Sequence, residues 1–278
     1  LGKAGTDVAI NNATLAVTAN ATVARKLALT GATATINTAT DTTSSITDII
    51  SGTGQLVKTG AGSLSLTGTN SYEGGTVVNG GTVTISSDAN LGKAGTDVAI
   101  NNATLAVTDT VVLTHSVSVA NTATIDIANF NSSLMSAVSG LGTLNKAGTG
   151  TLSLNGTNTF VGSLAVTEGK VAINNANSLG ANSNSVSLAN NTSLSTTAAV
   201  TAQQSVAIAK DAKVTLDTMA NDSTLSGVIS GMDVAISKAG SGTLSLNGSN
   251  TFVGSLNVQS GKVAINNANS LGANSNSV

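Results

Sequence analysis

The sequence has no cysteine, no proline and no tryptophan, and among 278 residues only one tyrosine, three phenylalanines, one histidine and one arginine. Without cysteine there is no disulfide scaffold, no thiolate metal site and no cysteine nucleophile. A lone histidine cannot build a multi-histidine metal site. Charged residues make up 9%, against about 25% in an ordinary soluble domain. Eleven basic residues scattered among thirteen acidic ones give a net charge of −2, which is no basic footprint for nucleic acid or anionic lipid. Mean hydropathy is positive, so the composition is not that of a disordered chain. Aliphatic runs are a few residues long, too short for a membrane-spanning helix, and no membrane insertion of this segment is expected.

What the sequence has is repetition, which must be read before anything else. LGKAGTDVAINNATLAVT occupies 1–18 and recurs unchanged at 91–108. A second unit reads KTGAGSLSLTGTNSYEGG from Lys58, KAGTGTLSLNGTNTFVGS from Lys146 and KAGSGTLSLNGSNTFVGS from Lys238, with starts 88 and 92 residues apart. KVAINNANSLGANSNSV stands at 170–186 and again at 262–278. The modules are therefore 1–57 (partial), 58–145, 146–237 and 238–278 (partial), each whole one about ninety residues long. No linker or composition shift separates them, so 1–278 is expected to be one continuous domain. Its opening at Leu1 and its stop within a repeat lead to the expectation of a longer parent chain.

Within a module the apolar signal has period two: Leu64 and Leu66, Val83 and Ile85, Val98 and Ile100, Leu105 and Val107. Such alternation, broken by Gly, Asn and Asp, predicts short strands joined by turns. Small aliphatic side chains poorly fill the ~10 Å gap of a two-sheet sandwich. They suit the narrow column inside a solenoid. Coils of about 20–25 residues would stack roughly a dozen high, at ~4.8 Å each, into a rod ~60 Å long. The expected fold is all-β, a right-handed parallel β-helix.

The run GSLSLTGTNSYEGGTVVNGGTVTI at 62–85, with GTLSLNGTNTFVGSLAVTEGKVAI at 150–173 and GTLSLNGSNTFVGSLNVQSGKVAI at 242–265, resembles the passenger-associated repeat of bacterial autotransporters, the type V secreted proteins. The shared form is G-x-G-x-L-x-L-x-G-x-N-x-[YF]-x-G-x-[TS]-x-[VL]-x-x-G-x-[VL]. Its fixed positions here are Gly68, Gly156 and Gly248, Asn70, Asn158 and Asn250, and Tyr72, Phe160 and Phe252. The resemblance implies a right-handed parallel β-helix displayed at the bacterial cell surface or secreted. It also implies a covalently linked C-terminal translocator barrel in the full-length protein. The function it implies is that of a stalk or adhesin-like passenger presenting a binding or effector region. Possible contacts are with host cells, matrix or sister molecules. Two alternatives remain: a self-associating biofilm or matrix solenoid secreted by another route, and a polysaccharide-acting β-helix enzyme.

Candidate chemistry is sparse. The recurring aromatics read as packing plugs at a coil corner rather than as a sugar platform. The pairs Asn11-Asn12, Asn101-Asn102, Asn174-Asn175 and Asn266-Asn267 read as amides that could bond up the solenoid as a ladder. His115 shares parity with Val111, Leu113, Val117 and Val119, which places its ring on the apolar face of a straight strand. A general base needs a partner, and the nearest acids in sequence are Asp109 and Asp126. Asp211, Asp217 and Asp222 are the densest acids but have no arginine near them in sequence. Thr33/Thr35 and Thr38/Thr40 form Thr-x-Thr units that do not recur at a coil period. No catalytic residue, cofactor or metal is expected.

Overall fold

The computed structural model describes residues 7–277; Leu1–Thr6 of the 1–18 repeat, and Val278, lie outside the described residues. The described chain is a β-solenoid of short strands, two to six residues each, with one 3-10 turn at Asp88–Leu91. Every pairing is parallel, and partners such as Leu64 and Val83, or Val171 and Leu194, lie 19–23 residues apart in sequence. Each coil is thus one circuit of three strands, and about a dozen coils stack at ~4.8 Å each.

The stack has three faces. The first begins with Val8–Ile10, Leu27–Leu29 and Ile50–Gly52 and resumes as an eight-stranded sheet from Val112–Leu113. The second is seven-stranded, from Ala13–Val17 to Val138–Gly140, and resumes as four strands from Thr201–Ala202. The third runs eleven strands without a break, from Thr22–Val23 to Ile229–Ser230. Backbone bonds still cross each break: Ser71 N to Ile50 O (2.8 Å), Glu73 N to Gly52 O (2.9 Å) and Lys93 N to Tyr72 O (2.9 Å) on the first face, and Thr159 N to Val138 O (2.8 Å), Val161 N to Gly140 O (2.8 Å) and Ala181 N to Phe160 O (3.0 Å) on the second. Ala273 N bonds Phe252 O (3.0 Å) above the last strand of the third.

The repeat does not keep to one face. Gln55–Thr59, with Lys58, lies on the second face. Its counterpart Thr143–Ala147, with Lys146, lies on the third face, and Val234–Ala239, with Lys238, on the first. Counting strands up the sheets, one module advances four and a third coils. Equivalent residues are therefore turned about 120° round the axis and raised ~21 Å.

Period-two alternation produces the core as the sequence suggests. Leu64, Val83, Leu105 and Ile125 sit in register on successive coils and are all buried. Outward on the same face Thr43, Ser63, Thr82, Thr104 and Thr124 form a hydroxyl column. The Thr-x-Thr units at 33–40 build no such column, since Thr35 lies beneath Val57 and Thr38 points inward.

Tyr72, Phe160 and Phe252 are fully buried, the first two at the two face breaks and Phe252 above the last strand of the third face. The Tyr72 hydroxyl donates to Thr76 Oγ1 at 2.6 Å, and that hydroxyl donates to Leu91 O at 3.1 Å. Burial raises the phenol well above its ordinary pKa, and the Thr76 bond opposes that in part. Where phenylalanine replaces tyrosine, Leu164 or Leu256 stands in place of Thr76. The hydroxyl and its acceptor come and go together, since an unpaired buried hydroxyl is costly. Accordingly Tyr72→Phe is expected to cost about 1 kcal/mol. Phe160→Tyr, facing Leu164, is expected to cost about 2–3 kcal/mol. Denaturant unfolding of the two variants measures both, and equal costs would contradict the pairing.

Candidate functional site

Among the described residues three kinds of polar arrangement interrupt the apolar column: an asparagine corner and a buried lysine, both recurring with the repeat, and one charged groove that does not recur. At the corner, Asn70 Oδ1 accepts from Ile50 N (2.8 Å) while its Nδ2 donates to Asn90 O (2.6 Å). Asn158 does the same between Val138 N and Ser178 O, at 2.8 and 2.6 Å. Asn250 repeats it between Ile229 N and Ser270 O, again at 2.8 and 2.6 Å. Each amide joins the coil below to the coil above where the strand ladder is broken. The glycine two residues earlier lets the chain pass close to the coil beneath. A Cβ on Gly68, Gly156 or Gly248 would lie 2.4, 2.2 or 2.3 Å from the carbonyl oxygen of Asp48, Ser136 or Gly227.

Sequence reasoning used the repeat lysines only as markers, and the structure places them inside. Lys58, Lys146 and Lys238 are fully buried, each at an inward strand position. Lys58 Nζ donates to the carbonyls of Thr59 (2.9 Å), Gly60 (2.8 Å) and Gly80 (3.0 Å). Lys146 Nζ donates to Ala147 O (3.2 Å), Gly148 O and Glu168 O (3.0 Å). Lys238 Nζ donates to Ala239 O (2.8 Å), Gly240 O (2.7 Å) and Ser260 O (3.0 Å). Burial pulls the Lys58 ammonium down to about 8. It pulls Lys146 to about 8 as well, against Asp126 and Glu168, and lowers Lys238 against Asp217. The signal was parity: Lys58 alternates in phase with Leu56, Lys146 with Leu144, and Lys238 with Ile236.

The charged groove lies at the first-face break, has a volume of about 640 Å³ and is lined by Asn70, Glu73, Asp88, Lys93 and His115 among others. Lys93 Nζ pairs with Glu73 Oε1 at 3.0 Å across its exposed mouth. His115 is buried in the wall, as its parity suggests, but its partner is neither Asp109 nor Asp126. Its Nδ1 meets Asp88 Oδ1 at 2.8 Å, from a turn 27 residues back that the solenoid brings beneath it, and Nε2 meets Lys93 O at 3.2 Å. Burial raises the Asp88 carboxyl. Bonds from the Thr114 hydroxyl (2.5 Å), the His115 ring and the Thr114 amide (3.0 Å) outweigh it and hold the carboxyl below its ordinary value. One module on, Gln204 occupies the place of His115 and its Nε2 donates to Gly180 O and Ala181 O. His115 and Gln204 thus fasten the same turn. Asp88 and Lys93 are matched there by Ala176 and Ala181, so the second groove, lined by Thr157, Asn177 and Asn182, is uncharged.

The remaining candidates disperse. Asp217 is held by Lys170 Nζ (3.0 Å), Asp211 lies by Lys210 (3.8 Å), and Asp222 accepts from Thr243 N (2.7 Å). The asparagine pairs form single rungs rather than a ladder. Asn121 Nδ2 reaches Asn101 Oδ1 (2.8 Å) and Asn267 Nδ2 reaches Asn247 O (3.0 Å), while the pairs themselves lie several coils apart. Among the described residues no group of three or more His, Cys, Asp or Glu side chains is placed to hold a metal ion. No described helix is long and apolar enough to cross a membrane.

Comparison with known proteins finds the passenger-associated-transport-repeat family at residues 56–85, 144–173 and 236–265. The chain is similar to the Adhesin BmaC autotransporter of Brucella suis biovar 1 (strain 1330), at 45% identity over 96 residues. That stretch covers 32% of this chain and 3% of the relative's length. No solved structure matches. The chain thus carries the repeats of an autotransporter passenger domain, laid out as a β-solenoid.

Two outcomes are expected. Asn158→Ala leaves the buried Val138 N–H and Ser178 C=O unpaired and should cost about 2–4 kcal/mol. The loss should be read as reduced exchange protection at Val138 before global unfolding. The second concerns Asp88, whose folded pKa is depressed. Its contribution is present above the unfolded pKa of about 4 and is lost as pH falls through the lower folded value. Protection of the Thr114 amide should therefore hold down to about pH 4 and fall below it. Asp88→Ala should remove that dependence.

Proposed function

We propose that this chain is a length of stalk in the passenger of a surface-displayed or secreted bacterial autotransporter, carrying a binding or effector region away from the outer membrane. The observation that carries the reading is the passenger-associated repeat, present three times on one solenoid whose third face runs eleven strands without a break. Inter-coil hydrogen bonds along the whole length give axial stiffness, which a spacer needs. The adhesin name belongs to a relative of which this chain spans a small part, so adhesion is proposed for the parent protein as a whole.

A non-enzymatic role is supported by how the acid and base candidates are used. His115, Asp88, Asp217 and Asp222 each serve a turn or an inter-coil contact. The same strand sequence also serves on the second, third and first faces in turn. Modules are therefore interchangeable lengths of rod, and 1–278 is proposed as one continuous segment built from them.

The decisive test is the coding sequence downstream of Val278. About a dozen amphipathic strands of roughly ten residues are expected there. A downstream region without them would remove the autotransporter route and leave a matrix solenoid exported by another. A mechanical test complements it: deleting 58–145 should keep the fold and shorten the rod by ~21 Å, measured by small-angle scattering. Collapse of the fold would contradict modular interchange.

A further inference from the structure

The repeat lysines end in a cradle whose chemistry is independent of their surroundings. In each copy three carbonyl oxygens face one ammonium: one from the last residue of the lysine's own strand, one from the glycine of the turn that follows, and one from a residue 22 positions on, in the coil above. Three acceptors match the three N–H bonds of a primary ammonium. The glycine of the turn has a left-handed backbone in every copy, at φ 77°, 81° and 80° for Gly60, Gly148 and Gly240. That geometry turns its carbonyl inward and is ill suited to other residues.

All three acceptors are main-chain atoms, and the third belongs to Gly80, Glu168 or Ser260, so residue type does not matter there. Carboxylates do not define the site either. Asp126 and Glu168 act on Lys146 and Asp217 on Lys238, while burial is the sole influence resolved on Lys58. The cradle also appears on all three faces of the rod. What recurs is the backbone shape and the cation.

We propose that each cradle is a binding site for a primary ammonium ion, which the chain fills with its own lysine and which an alkylammonium ion occupies when the lysine stem is removed. Occupancy joins a turn to the coil above at a place where the backbone offers acceptors and no amide donor. A quaternary ammonium lacks N–H and does not bind there. An apolar side chain of the same length fills the space without joining the coils.

Lys146→Ala removes three carbons and the nitrogen, the atoms of propylammonium. In the 278-residue chain this variant should lose about tenfold protection at Val166 and Thr167, with the surroundings of Lys58 and Lys238 unchanged. Propylammonium chloride should restore most of that protection, whereas sodium chloride and tetramethylammonium chloride at equal ionic strength should not. Lys146→Met should show the loss and no restoration. If Lys146→Ala does not fold unaided, refolding in propylammonium but not in tetramethylammonium supports the proposal, and failure in both overturns it. Native protection in Lys146→Met, or equal effects of the two cations on Lys146→Ala, also overturns it.

Discussion

In-register parallel hydrogen bonding between coils obliges every residue to sit on another about twenty positions away, and the side-chain chemistry of the molecule answers that obligation. Apolar residues meet it by stacking like on like, as in the column of Leu64, Val83, Leu105 and Ile125. Difficulty arises where a face is interrupted and at the corners where one strand turns into the next. There the backbone would be left with buried, unpaired groups. Asparagine amides, lysine ammoniums, and the imidazole of His115 or the amide of Gln204 supply the missing partners. Polar residues in this core therefore concentrate at the breaks and corners.

The same demand explains why the repeat tolerates change at some positions and pairs it at others. Tyr72 comes with Thr76, while Phe160 and Phe252 come with leucine. His115 with Asp88 on one side corresponds to Gln204 with Ala176 on the other. In both cases a buried donor appears together with its acceptor. The charged groove of the first break is one variant of a turn-fastening device that the second break builds from neutral groups.

Much of the architecture could be read from the residues. Alternation at Leu64/Leu66 and Val83/Ile85, and the thrice-repeated motif, led to a parallel solenoid with buried aromatics. The partners of polar groups were less legible, because coil length and not sequence distance decides who meets whom. His115 was set beside Asp109 and Asp126, whereas the fold delivers Asp88 from 27 residues away. The lysines show another limit. Their parity with Leu56, Leu144 and Ile236 pointed inward, but a charged residue inside a narrow apolar column runs against the usual expectation. Only the carbonyl cradle accounts for it.

The advance of four and a third coils per module has a consequence for the shape of a long rod. Each interruption, with a bulky ring beneath it, makes one side of the stack locally unlike the other two and so acts as a small wedge. Modules of a whole number of coils would align these wedges, and a long array would bow into an arc. Steps of about 120° point successive wedges in three directions, so that over ~63 Å their tilts cancel and the axis stays straight. Reach then grows in proportion to the number of modules, and duplication can lengthen the rod without bending it.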